Sequence, residues 1–131
     1  MGGISPQYSK AIGNARTLSE ELGDQEISFV GHSMGGGQAA AASMATGYAA
    51  ITFNPAALSL GTMIINSLHG RGDITNYIST CPGPFGTTIV SDYVTILQNI
   101  NKIYAPGTNI PVMVNTFPSH GIDVIVNALR K

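Results

Sequence analysis

One serine in this chain stands where it could act as a nucleophile. Ser33 is the centre of the pentapeptide Gly31-His32-Ser33-Met34-Gly35, which follows an apolar run at 27–30 and precedes a stretch of small residues. This order predicts a strand, a sharp turn and a helix, with the serine at the apex. Glycines two positions before and after it remove side chains that would collide in so tight a turn. The alternative is a helix-capping serine in a chain with 16 glycines.

Three stretches of the sequence carry a family resemblance. They are Phe29–Gly36 around the serine, Ala49–Pro55 farther along, and Ser119–Asp123 near the end of the chain. Together they resemble the α/β-hydrolase superfamily, and in particular class 3 lipase-like enzymes, over the region from about Leu18 to the end. The resemblance implies a serine hydrolase acting on carboxylic esters. Because several strands precede the elbow in that superfamily, it also implies a truncated version, the C-terminal half of the fold.

A serine hydroxyl needs a base, and the chain offers three histidines. His32 adjoins Ser33, and neighbouring side chains there point apart, so we expect it to pack beside the elbow. His69 precedes a predicted strand, which places it at the edge of the sheet opposite the elbow. His120 follows the last strand-like segment and comes last in the order Ser, Asp or Glu, His. We predict that His120 is the base; a surface histidine opening a helix is the alternative.

Chain order also selects the carboxylate that would orient this histidine. The four acids at positions 20–26 precede the elbow, and Asp123 suits the first turn of the helix that follows His120. Asp73 begins a predicted strand and so lies at the wrong end of the sheet. Asp92 follows that strand, and we predict it as the third member of the triad, with Asp73 as the competing choice. The alternative for Asp92 is a helix N-cap.

The N-terminus of the predicted helix after the serine would stabilise an oxyanion. The Met34 N–H is the expected first donor, because it opens that helix. The second donor is open: it could come from Gly35, from the N-terminal Gly2-Gly3 or from a partner chain. We see no metal-ligand spacing and no phosphate-binding loop, so the sequence predicts neither a metal nor another cofactor.

The elements that must position these residues follow from periodicity and from glycine and proline. We predict a single α/β domain over residues 1–131, with a minimal α/β-hydrolase-like parallel sheet of about four strands flanked by helices. The predicted strands are 27–30, 49–53, 74–78 and 103–105. The predicted helices are 5–22, 34–46, a short one through 63–65, 91–99 and 119–130, with loops at 81–86 and 106–111 and an apolar segment at 112–114.

Composition limits the partners of this domain. The formal net charge is −1, so no basic character suggests nucleic acid, and charged residues are only 10% of the chain. Cys81 is the single cysteine, which excludes an internal disulfide. We see no signal peptide, which makes the cytoplasm the default location, and no apolar stretch long enough to span a membrane.

Scarce charge also favours self-association. If the superfamily strand order holds, the strand before Ser33 lacks one neighbour, and an apolar edge of this kind tends to pair with another chain. We therefore expect a homo-oligomer, with a monomer whose first helix covers the edge as the alternative.

The predicted function is that of a serine carboxylesterase that hydrolyses small, short-chain acyl esters through Ser33, Asp92 and His120. Two alternatives stay open. One is a catalytically weak or silent assembly module, and the other is a thioesterase or lipase that acts on longer acyl groups.

Overall fold

The computed structural model describes residues 6–58, 63, 66, 68, 73–100, 105–115 and 117–130. Four helices of eight or more residues lie in this part of the chain: α1 (Pro6–Leu22), α2 (Met34–Thr46), α3 (Tyr93–Ile100) and α4 (Ile122–Leu129). Its strands are β1 (Ser28–His32), β2 (Ala49–Phe53), β3 (Ile74–Pro82), β4 (Thr88–Val90) and β5 (Thr108–Met113), and a 3₁₀ turn covers Pro84–Gly86.

The five strands form one mostly parallel sheet, which confirms the predicted α/β class. β1 pairs with β2, β2 with β3 and β3 with β5, all in parallel. β4 is antiparallel to β3. Within the described residues β1 has no second strand beside it, as the sequence predicts.

Small residues let α2 pack closely behind the sheet. Its alanines Ala39–Ala42 are buried, and Ala39 and Ala40 contact Ala50 and Ile74 of the central strands. The helix ends where predicted, because Gly47 adopts a left-handed conformation (φ 82°) that an L side chain rarely takes.

The apolar face of α1 packs against α2 rather than against the sheet edge. Tyr8 and Ile12 are buried with Ala41, Leu58 and Leu68. Burial raises the pKa of the Tyr8 hydroxyl above its ordinary value of 10.0, because the ionised form loses its hydration. A groove of about 320 Å³ remains between α1, α2 and β1.

Buried polar side chains fix the register of the central strands. Thr52 donates to Asn76 across β2 and β3 (2.5 Å), and the Asn76 amide donates to Asn109 of β5 (2.9 Å). Farther along, the Asn54 amide donates to the Ser79 hydroxyl (2.9 Å). The bonds between β2 and β3 are buried, and the one to the exposed Asn109 is partly buried. Since a slipped register would break them, the pairing of β2 with β3 is strongly specified and that of β5 is supported.

The second half of the sheet differs from the prediction. β3 continues to Pro82 and returns as β4, where the sequence predicts a loop. The final strand begins at Thr108 inside the predicted loop 106–111. Among the described strands β5 pairs only with β3. Its other edge therefore has no strand that would need a hydrogen bond from an N–H at Pro111, and a proline is tolerated there. Of the predicted strand 103–105, Ala105 lies outside any strand and the other two residues fall outside the described part.

Other boundaries shift by a few residues. The first strand is Ser28–His32 rather than 27–30, and the C-terminal helix begins at Ile122 rather than at 119. The predicted helix 63–65 lies mostly outside the described residues. Within the described part, no helix combines the length and the apolar character needed to cross a bilayer.

Candidate active site

Ser33 occupies a sharp turn between β1 and α2. Its backbone lies at φ 56° and ψ −122°, a strained conformation for a residue with a side chain. The turn is held on both sides: the Ser33 N–H donates to the Phe53 carbonyl (3.1 Å), and the Ser33 carbonyl accepts from the Gly37 and Ala56 N–H groups. The predicted strand–turn–helix setting is therefore present, with the serine at the carboxyl end of β1.

The two glycines of the pentapeptide have different reasons to be glycine. A Cβ atom at Gly31 would lie 2.1 Å from the carbonyl oxygen of Gly35, so no side chain fits there. A Cβ at Gly35 would meet nothing within 4 Å, so the expected collision at this position is wrong. The next two glycines are the ones with close neighbours. A Cβ atom at Gly36 would collide with Pro55, and one at Gly37 would collide with Tyr8.

The structure brings the three predicted triad residues together. His120 Nε2 lies 2.6 Å from Ser33 Oγ, and His120 Nδ1 lies 2.5 Å from Asp92 Oδ1. Because a carboxylate only accepts, Nδ1 carries the proton and donates it to Asp92, and Nε2 then accepts from the serine hydroxyl. The Asp92 side chain is fully buried and that of His120 is 15% exposed, so the histidine connects the interior to the surface.

Asp92 satisfies both interpretations that the sequence allows. Its Oδ1 faces His120, while its Oδ2 accepts from the Thr95 N–H (2.7 Å) and the Thr95 hydroxyl (2.6 Å). The second set of bonds is an N-cap of α3. The cap thus holds the carboxylate in the orientation that the histidine needs.

The β3–β4 hairpin explains how Asp92 reaches the site. Thr80 of β3 pairs with Val90 of β4 and with Met113 of β5, so β4 lies on the β2 side of β3, past the end of β2. The chain then returns to the level of Ser79, where the Ser91 N–H donates to the Ser79 carbonyl (2.9 Å). Asp92 therefore lies beside the turn at Ser33, although the hairpin from Pro82 to Val90 separates it from the end of β3.

A second contact joins the acid and base segments, and the sequence analysis missed it. The Ser91 and Ser119 hydroxyls are hydrogen-bonded (2.8 Å), and the Ser119 N–H donates to the Ser91 carbonyl (2.7 Å). Both serines are buried. This pair of hydrogen bonds, the Ser91–Ser119 clamp, fixes the residues directly before Asp92 and His120. The two serines are 28 positions apart in the chain, and no sequence pattern indicates that they are in contact.

His32 packs beside the elbow, as expected, and its partner is His120. The two rings lie 4.8 Å apart between centroids, and His32 Nε2 is 2.5 Å from the backbone carbonyl oxygen of His120. Since a carbonyl only accepts, His32 carries a proton on Nε2 and donates it. The residue before the serine thus helps to hold the segment that presents the base.

The expected oxyanion donors lie at the start of α2. Met34 is its first residue and Gly35 its second, positions whose N–H groups have no partner within a helix. Free N–H groups at a helix N-terminus favour a negative charge beside them, as an oxyanion on Ser33 would be. Gly2 and Gly3, the other intrachain candidates for the second donor, lie outside the described residues.

The remaining candidates lie elsewhere. Asp73 precedes β3 and its carbonyl accepts from the Ala50 N–H at the start of β2, which places it at the opposite edge of the sheet. Asp123 lies in the first turn of α4, as predicted. His69 falls outside the described residues. In the described part, no three His, Cys, Asp or Glu side chains group as metal ligands would.

Comparison with known proteins gives two matches. A family model described as phospholipase-like, Tle-like phospholipase domain, matches residues 1–106. An extracellular phospholipase A1 of Serratia liquefaciens is 45% identical over 53 residues, which is 40% of this chain. That segment is 16% of the relative's length, so the chain spans well under two thirds of it.

Proposed function

Because this chain belongs to the family of Tle-like phospholipase domains, we propose that it is a serine hydrolase that cleaves acyl ester bonds of lipids. The observation that carries the proposal is the hydrogen-bonded series from Ser33 Oγ through His120 to Asp92, with distances of 2.6 and 2.5 Å. A nucleophile in contact with a base, and a base oriented by a buried carboxylate, is the arrangement that acyl transfer requires.

The proposed reaction proceeds in two acyl transfers. Ser33 Oγ forms a bond to the ester carbonyl carbon while His120 Nε2 takes its proton. The carbonyl oxygen becomes an oxyanion, which the Met34 and Gly35 N–H groups stabilise. When the tetrahedral intermediate collapses, the leaving alcohol takes the proton from His120 and the acyl group stays on Ser33. Water then repeats the sequence, with His120 as base, and releases the carboxylic acid.

Asp92 supports both steps without taking the proton itself. Its carboxylate holds the Nδ1–H tautomer of His120 and stabilises the imidazolium that forms when Nε2 is protonated. The bonds from Thr95 keep Oδ2 occupied, so the acid cannot turn away from the histidine. His32 fixes the backbone on the other side of the His120 ring.

The substrate class rests on the family and on the phospholipase A1 relative. Both indicate a lipolytic hydrolase, and A1 in the relative's name denotes an acyl ester of a phospholipid. We therefore place phospholipid acyl esters ahead of the short-chain esters that the sequence alone suggests. Short-chain p-nitrophenyl esters present the same carbonyl, so we expect them to serve as soluble substrates.

The experiment is hydrolysis of phosphatidylcholine by the purified chain and by its Ser33→Ala variant, read by mass spectrometry. We expect a fatty acid and a lysophospholipid that keeps its phosphocholine group, and no product from the variant. Release of phosphocholine or phosphatidic acid would contradict acyl ester cleavage. Equal product from the variant would contradict the nucleophile.

A second proposal concerns assembly, and the outer position of β1 favours it. Val30 is 64% exposed, and the groove beside this strand is lined by apolar residues of α1 and α2 such as Leu18 and Ala42. Pairing of β1 with a second copy would cover both. Light scattering over a dilution series tests this: we expect a dimer or larger species at micromolar concentration, and a monomer mass throughout would refute it.

A further inference from the structure

The β3–β4 hairpin reaches well past the candidate active site. Phe53 is opposite Tyr77, so the turn at Ser33 lies at about the level of Ile78 on β3. β3 continues for four more residues to Pro82, which at about 3.3 Å per residue carries it roughly 13 Å farther. The hairpin tip, residues 83–87, therefore stands out from the same edge of the sheet that carries the triad.

The tip exposes an aromatic side chain, and several polar groups of its backbone are hydrogen-bonded within the tip. Phe85 has a relative exposure of 104% and a left-handed backbone conformation (φ 57°), unusual for a residue of this size. Around it the Thr87 hydroxyl donates to the Pro84 carbonyl (2.7 Å), and the Gly83 N–H donates to the Thr87 carbonyl (2.7 Å). Because these polar groups bond to one another, moving the tip out of water leaves fewer of them unpaired.

Other apolar side chains are exposed at the same edge. They follow the nucleophile, end β5 and precede the base: Met34, Met113 and Phe117. Met113 is opposite Thr80, beyond the level of the turn at Ser33. These three residues and Phe85 are therefore exposed at the same edge of the sheet as Ser33, the edge from which a substrate would reach the serine.

Few charged residues lie in the stretch of chain from β3 to the start of α4. Between Ile74 and Asp123 the sequence contains two carboxylates, those of Asp92 and Asp123, one side-chain amine, that of Lys102, and no arginine. Asp92 is fully buried, so Asp123 is the carboxylate that this stretch exposes among the described residues. Surfaces that bind anionic lipids use clusters of lysine and arginine. An exposed aromatic tip without such a cluster fits the interface of a zwitterionic phospholipid, whose headgroups carry no net charge.

We propose that the hairpin tip at Phe85 inserts into the interface of a zwitterionic phospholipid bilayer and holds the turn at Ser33 against it. The inference rests on the proposed function and deepens it, because it explains how a lipid ester in a bilayer would meet the triad. Burial of one aromatic side chain changes a partition equilibrium by about tenfold or more. The loss of Phe85 is therefore measurable.

The test is tryptophan fluorescence, since the chain has no tryptophan of its own. Phe85→Trp places one reporter at the tip, and Leu129→Trp places a matched one at the far end of α4, where Leu129 is also exposed. Both are made in the Ser33→Ala background, so that no lipid is consumed. With phosphatidylcholine vesicles we expect a blue-shifted emission for Phe85→Trp, quenched by brominated acyl chains, and no change for Leu129→Trp.

Vesicle flotation supplies the affinity. Phe85→Ser should bind phosphatidylcholine vesicles about tenfold more weakly than its parent, and Leu129→Ser equally well. An unshifted emission from the Phe85→Trp variant would overturn the proposal. So would binding only to vesicles that contain phosphatidylglycerol, or a blue shift that needs high protein concentration and no lipid, which would indicate a second copy. Binding without hydrolysis by the Ser33 enzyme would refute the proposed function and leave the docking surface intact.

Discussion

Replacing Gly31 by alanine should disable the elbow, because the new methyl group has no space. Its carbon would lie 2.1 Å from the Gly35 carbonyl oxygen, whereas ordinary contact begins at 3.4 Å. The end of β1 and the first turn of α2 must therefore separate by roughly 1.3 Å, and Ser33 lies between them. Since a misplacement of about 1 Å lowers catalysis by about 10²-fold, kcat/KM on p-nitrophenyl butyrate should fall by at least that factor.

Two control variants distinguish the effect of distorting the turn at Ser33 from the effect of replacing any glycine by alanine. Gly13→Ala adds a methyl group on α1 where nothing lies within 4 Å, and it should keep both activity and stability. Gly35→Ala should keep its thermal midpoint, because a Cβ atom at this position would also meet nothing within 4 Å. A folded Gly31→Ala protein with kcat/KM within about threefold of its parent would refute the account of the turn.

Five further substitutions test the triad assignment and the role of His32. His120→Ala should approach the loss of Ser33→Ala in kcat, because nucleophile and base act as a unit. Asp92→Asn should lose less, on the order of 10⁴ in kcat. Asp73→Asn, at the opposite edge of the sheet, should keep kcat. A large loss of kcat in Asp73→Asn would contradict the triad assignment. His32→Leu should lower kcat about fivefold through one missing hydrogen bond, and His32→Gln, whose amide nitrogen reaches the place of Nε2, should restore it; equal kcat values for these two variants would exclude a positioning role.

The first half of the fold follows from the sequence because its signals are local. The apolar run before Ser33, the alanines of α2 and the left-handed Gly47 each specify the element in which they lie. As a result, α2 and β2 occupy the predicted residues. The sharp turn at Ser33 is likewise predictable from the pentapeptide 31–35 between a strand and a helix, although of its two glycines only Gly31 lacks space for a side chain.

The second half depends on contacts between distant residues. Thr108–Pro111 has the glycine and proline context of a loop, yet pairing with β3 makes it a strand. The hairpin after β3 and the Ser91–Ser119 clamp are also products of tertiary pairing. Periodicity contains no information about such pairs, so the sequence predicts the residues of the triad but not how the chain carries Asp92 to His120.

The central claim is that Ser33 is a nucleophile activated by its neighbours, and covalent labelling tests it most directly. A fluorophosphonate probe forms a stable bond with an activated serine and not with a capping one. The intact mass of the chain should increase by one probe adduct, peptide mapping should place the adduct on Ser33, and Ser33→Ala should keep its original mass. An unlabelled parent protein, or equal labelling of the variant, would contradict the account.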